Sequence, residues 1–148
     1  MSILETMSIG QRSLDVHGKR IKVHAKNIAN LDTPNYVRKI PVLHSTDDIS
    51  FHGILNSMKE DVFGMGTLPF LQGGVAFTGI VEDPVLGERL YKPGHPDADE
   101  NGYIRASNVN PMVDIADANI AQRAYEANLA VITIAKTMAA RAVDIGRQ

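Results

Sequence analysis

Two stretches, one at each end of the chain, repeat apolar residues at helical spacing over a length that no small compact domain needs. From Ser2 to about Asn30, Met7, Leu14, Ile21 and Ile28 recur every seven residues, and Ile9, Val16 and Val23 form a second column. The columns are offset by two residues, about 200° around a helix, so they stand on nearly opposite faces. Arg12, Lys19 and Lys26 line one flank. A helix on the surface of a single globule buries one stripe, whereas two stripes imply partners on two sides. In "NLDTPNY", Pro34 ends this helix, because it disfavours helix at Thr33 and cannot continue the hydrogen-bond ladder.

The second helical stretch runs from Pro111 onward. Val113, Ile120, Ala127 and Ile134 alternate with Ala124, Val131, Met138 and Ile145 in 3–4 spacing. This pattern predicts a heptad seam, interrupted by Asp117 and Arg141. Asp114 and Asp117 near its start and Arg141 and Arg147 near its end suit the helix dipole. About 33 residues give a helix of roughly 50 Å, too long for a compact domain of this size. The two terminal helices are therefore expected to pair as an antiparallel two-helix coiled coil.

The middle reads differently. Residues 41–74 are the least regular: "IPVLHSTDD" is a candidate strand, "GILNSMKEDVFG" a candidate short helix and "GMGTLPFLQGG" a loop. Then "VAFTGIVE", "ERLYKP" and "GYIRAS" carry β signals, separated by turn residues at Asp83-Pro84, Pro93-Gly94 and Asn101-Gly102. The predicted class is α+β: long N- and C-terminal helices forming an antiparallel coiled coil, with a small antiparallel β-rich inserted domain. The expected segments are 1–36 for the N-terminal helix and closing motif, 37–110 for the insert and 111–148 for the C-terminal helix.

Composition narrows the function classes. The 148 residues hold no Cys and no Trp, so disulfides and thiolate chemistry are excluded and the core rests on aliphatic side chains. No apolar run approaches the length needed to span a bilayer, and "MSILETMSIGQRSLD" lacks the features of a cleaved secretory leader. The net charge of −2 is unevenly spread. Residues 1–40 carry seven Lys or Arg against three acids, and residues 82–117 carry eight acids against three bases. Opposite-sign segments favour contacts between regions or between copies over a nucleic-acid partner.

The stretch most like a chemical site is "HPDADENGYIRASN", residues 95–108. Asp97, Asp99 and Asn101 alternate ahead of Gly102, as in the first half of an EF-hand calcium loop. Position 12 of that loop, which needs a bidentate Glu, is Asn108, and Pro93 and Pro96 stand where a helix should precede it. A polar hairpin with Asn101-Gly102 in a type I′ turn is the expected structure. His95 beside Asp97 has no second His or Cys spaced to complete a transition-metal site. The basic residues of "HGKRIKVHAK" are spread around their helix and interrupted by Ile21 and Val23, unlike a nucleic-acid stripe. Gly64 and Gly66 are not followed by a phosphate-loop Lys, and no nucleophile or carboxylate pair takes a catalytic arrangement. Tyr125 and Asn128, polar residues near the seam, are expected to fix helix register. No catalytic, cofactor-binding or metal-ligating residue is assigned, and no cofactor is expected. A calcium-regulated adaptor using residues 97–108 and an enzyme acting within residues 41–107 are the alternatives.

Three segments together resemble a known family. "NIANLDTPNY", residues 27–36, resembles the motif that closes the N-terminal helix in flagellar rod, hook and hook-associated proteins, with Asn35 where that motif has Gly. "IAQRAYEANLAVITIAKTM", residues 120–138, resembles the matching C-terminal helix, with Arg123, Tyr125, Glu126 and Asn128 in place. "VEDPVLGERLYKPGHPDADENGYIRASNVN", residues 81–110, is similar to a segment of one proximal rod protein; a second proximal rod protein shares only the terminal helices and is the alternative within the family. The resemblance implies a non-enzymatic subunit of the bacterial basal-body rod that transmits torque. Its implied partners are other copies of itself, neighbouring rod proteins and the flagellar type III export apparatus, with no nucleic acid and no membrane insertion. The implied location is the periplasm-spanning rod, reached from the cytoplasm without a cleaved signal peptide. In the family the terminal helices order on assembly, which here implies folding coupled to binding.

Overall fold

The computed structural model describes residues 3–45 and 74–146. In chain order these form α1 (Ile3–Ala29), β1 (Lys39–Ser45), β2 (Val75–Glu82), β3 (Arg89–Tyr91), β4 (Tyr103–Arg105) and α2 (Pro111–Ile145). The α+β class holds, with two long helices at the ends and short strands between them. The short helix expected at 53–64, and all but the last residue of the loop expected at 64–74, lie outside the described residues.

Local chemistry sets the helix ends. The chain leaves α1 through tight turns, Asn30 N donating to Asn27 O at 3.0 Å and Leu31 N to Ile28 O at 3.2 Å. Asn35 then takes a φ of 60°, in the left-handed region that Asn tolerates best after Gly. At the start of α2, Asn110 Oδ1 accepts from the N–H of Met112 at 3.1 Å and of Val113 at 3.4 Å. Pro111 fills the first helical position, where its missing N–H goes unneeded. α2 ends at Ile145 with no basic residue in its last turn, so Arg141 falls short of the dipole site expected for it.

The strands make two separate two-stranded sheets, β1–β2 and β3–β4, where a single β unit was expected. Asp83 N donates to Arg38 O at 2.9 Å, joining the start of β1 to the end of β2 as an antiparallel ladder does. β3 and β4 are antiparallel, with Arg89 opposite Arg105, Leu90 opposite Ile104 and Tyr91 opposite Tyr103.

The turn at Asn101-Gly102 departs from expectation. Gly102 has φ 77° and Asn101 does not take a positive φ, so a type I′ turn is absent. Gly102 N donates to Asp99 O at 2.8 Å and Asp99 N to Tyr103 O at 2.8 Å. That is a type I turn closed by a left-handed glycine bulge, and it forms the last part of the connection 92–102 between β3 and β4. Asp99 selects it by accepting from Asn101 N at 3.0 Å and Tyr103 N at 2.8 Å with one carboxylate oxygen.

The chain divides into two compact units. One comprises His17–Val42 and Gly79–Ala124. Its buried apolar side chains are Val23, Ile104, Val109 and Ala121, and its buried polar ones are His24, Asn27 and Asp114. The other comprises Met1–Val16, Leu43–Thr78 and Tyr125–Gln148. There Val16 and Ala135 are buried, and a Cβ on Gly10 would lie 2.8 Å from Ile132 Cγ1. The glycine lets Ile132 rest against the α1 backbone.

The stripes of α1 are covered as expected in part: Val16 and Val23 are buried, and Met7, Leu14, Ile21 and Ile28 are half-buried. On α2 the seam is displaced. Val113, Ile120, Val131, Ile134, Met138 and Ile145 are all exposed. The covered residues are Asp114, Ala121, Asn128 and Ala135, alternating with Ala118, Tyr125, Ile132 and Ala139. This is also a heptad seam, one residue later and so about 100° around the helix. Small side chains let a neighbouring element approach closely, while the large apolar column is left facing outward.

Candidate assembly site

The closing motif of α1 begins with Asn27, a polar residue with no exposed surface. Its amide nitrogen donates to Lys39 O at 2.8 Å and to Asp114 Oδ1 at 2.9 Å. Its amide oxygen accepts from Tyr36 Oη at 3.0 Å and Lys39 N at 2.9 Å. All the hydrogen-bonding capacity of the amide is used. The turn containing Pro34 and Asn35 brings Tyr36 back onto the helix that it has just left.

Asp114, in the first turn of α2 and fully buried, is the hub. His24 Nδ1 lies 2.8 Å from its Oδ1, and Arg38 Nε donates to its Oδ2 at 2.8 Å. Arg38 also faces Asp83 at 3.6 Å and Asp117 at 3.7 Å. Burial works against the charge on Asp114, but the hydrogen bonds from Arg38, His24 and Asn27 and the charge of Arg38 outweigh it and hold the carboxyl below its ordinary range. The same contact with Asp114 raises the Arg38 guanidinium against the cost of its own burial. Burial and then the Asp114 charge push the Tyr36 phenol up. Asn108 completes the tie by accepting from Arg38 N at 2.6 Å and donating to Val85 O. The cluster ties the end of α1, the start of β1 and the start of α2 into one polar latch. It offers structure and no nucleophile.

The residues of the calcium-like stretch are spent elsewhere. Asp99 binds two backbone N–H groups through one oxygen and Arg89 through the other, at 2.8 Å. The N–H of Tyr103 is the largest of the influences that lower its carboxyl. His95 Nδ1 accepts from Asp97 N at 3.1 Å. Asn108, at the twelfth loop position, belongs to the latch. Among the described residues no three His, Asp or Glu side chains are grouped to hold a metal ion. Tyr125 and Asn128 sit half-buried on the covered seam. Of the latch, the sequence points to Asp114 by its helix-dipole position and to the closing motif from Asn27 to Tyr36, but not to the bonds that join them. The available signal was Asn27 at an apolar-face position four residues after Val23.

Outside the latch, the second half of α2 displays Val131, Ile134, Met138 and Ile145 along one side, with Leu129 and Val143 exposed elsewhere on the helix. Single exposed apolar residues are ordinary, but a column of this length marks an interaction surface.

Known proteins match this picture along the whole chain. The chain is 31% identical over 146 residues to the flagellar basal-body rod protein FlgC of Buchnera aphidicola subsp. Acyrthosiphon pisum, covering 98% of each. The chain belongs to the FlgC family of flagellar basal-body rod proteins. The FlgC protein of Bacillus subtilis is 30% identical, with 99% of this chain and all of the relative covered. That of Salmonella typhimurium is 28% identical over 148 residues. A family model described as the C-terminal region of flagellar basal body rod FlgEFG proteins matches residues 100–145, which span the hairpin tip and α2. The chain is thus a structural subunit of the flagellar basal-body rod and not an enzyme. No helix among the described residues is long and apolar enough to cross a membrane.

Proposed function

We propose that the subunit builds the proximal rod by docking the exposed face of α2 onto neighbouring copies and rod proteins. In this reading α1 and α2 form an antiparallel two-helix coiled coil, with segments 1–36 and 111–148 as the core domain and 37–110 as an inserted β-rich domain. Two contacts support the pairing: Gly10 faces Ile132, and His24 faces Asp114. The partner's number falls as the residue's own number rises, as between antiparallel helices. The subunit transmits torque along the rod and leaves the cytoplasm through the flagellar type III apparatus. Head-to-tail contacts of this kind grow an open helical assembly.

The observation that carries the proposal is the apolar column Val131, Ile134, Met138 and Ile145 on α2, exposed in the single chain. Deleting the gene alone should abolish filaments and motility, and a motile, flagellated deletion strain would end the proposal. Val131→Asp with Ile134→Asp should block incorporation into basal bodies; normal incorporation would show that this face meets nothing.

A further inference from the structure

The β3–β4 hairpin has two unlike faces. Leu90 and Ile104 share one face, on which Ile104 is buried and Leu90 is partly exposed. The other face carries Arg89 opposite Arg105 and Tyr91 opposite Tyr103. Placing like charges directly opposite on a ladder is unfavourable, and here only one of the two is compensated. Arg89 binds Asp99 at 2.8 Å and lies 4.8 Å above the Tyr103 ring. Arg105 is half-buried, and no carboxylate among the described residues lies within ion-pair distance of it. Beside the two arginines is a recess of about 200 Å³, lined by Asn35, Arg89, Asp97, Asp99, Tyr103 and Arg105 among others. Tyr103 lines it, and its ring meets that of Tyr91 edge to face at 5.2 Å, with Tyr91 64% exposed.

We propose that this Arg–Tyr face is a docking site for an acidic segment of a neighbouring rod subunit, whose carboxylate pairs with Arg105 beside the tyrosines. Arg and Tyr are the side chains that most often carry binding energy at protein interfaces, because both are large and rigid and combine apolar area with a polar end. A planar guanidinium holds a carboxylate by two parallel hydrogen bonds, which sets direction as well as attraction. This site is built from residues of the β3–β4 hairpin and shares none with the apolar column of α2.

The inference rests on the rod reading, and the test separates the two. Full-length Arg105→Glu, Arg105→Gln and Arg105→Lys chains are each expressed in a strain lacking its own copy, beside wild type. Purified Arg105→Glu should melt no lower than wild type, because the like-charge opposition is gone. Its incorporation into basal bodies should fall about tenfold or more. Arg105→Gln, which keeps the side-chain length, should show the same defect, and Arg105→Lys should largely restore incorporation. A benzophenone side chain placed at position 91 in assembled basal bodies should crosslink to a protein segment containing Asp or Glu. Wild-type incorporation of Arg105→Glu and Arg105→Gln overturns the inference alone, as does a crosslink to a segment without acids or to a non-protein component. Absence of the wild-type chain from basal bodies overturns both.

Discussion

At the scale of single residues, the molecule depends on a few buried polar side chains, of which Asn27 has all its hydrogen bonds filled. Asn27→Ala would strand the N–H and C=O of Lys39 and the hydroxyl of Tyr36, since Asn27 serves all three. The expected cost is about 2–4 kcal/mol, measured by chemical denaturation. Asp114 adds a pH dependence. Its carboxyl is held below the ordinary value, so its stabilisation is present at neutral pH and is lost as pH falls below about 5 and through the depressed folded value. Stability should therefore rise with pH across this acid range, and Asp114→Asn should flatten the rise while lowering stability at pH 7. Asn35 makes a different demand, because its φ of 60° suits Gly and penalises β-branched side chains. Asn35→Gly should be nearly neutral, and Asn35→Val should cost about 1–2 kcal/mol. This residue was legible in advance, since a loop after Pro34 with Asn in a glycine position points to left-handed backbone. Asn27 was not, because nothing local says that an amide on a helix will be enclosed.

At the scale of elements, the ends were legible and the facing was not. Asn110 and Pro111 are a helix-start signal that depends only on adjacent residues, and α2 begins there. Asn110→Ala should remove the two N–H contacts at the start of α2 and cost about 1 kcal/mol in thermal melts. The hairpin shows the opposite case. Asn-Gly suggested a two-residue turn, yet Asp99 draws the chain into a longer loop by binding two N–H groups. Gly87 likewise has a role visible only in three dimensions, since a Cβ there would stand 1.8 Å from the Ala106 carbonyl oxygen. Gly87→Ala should push β3 from β4 and destabilise the hairpin by about 1–3 kcal/mol, seen as faster amide exchange at Ala106.

At the scale of the whole molecule, one helix carries two heptad seams, one covered and one exposed. The covered seam of α2 runs through Ala121 and Ala135, and the exposed one through Val131, Ile134 and Met138. Enlarging the first by Ala121→Leu should overpack the fold and cost about 1–3 kcal/mol. Charging the second by Val131→Asp with Ile134→Asp should leave the melting temperature of the free chain within about 2 °C of wild type and abolish assembly. This crossing of effects distinguishes packing within a subunit from packing between subunits. Reversed effects would mean that the seams had been assigned the wrong way round.

The sequence by itself determined the two long helices, the short strands between them and the family, because periodicity, capping and motif order are properties of neighbouring residues. It also implied that the helices serve partners on more than one side. Only the tertiary structure decided which side of α2 belongs to its own chain. The most apolar column is the natural choice for a core, but close packing favoured the alanine column one residue later. Asp114 could enter that column because His24, Asn27 and Arg38, distant in sequence, converge on its carboxylate.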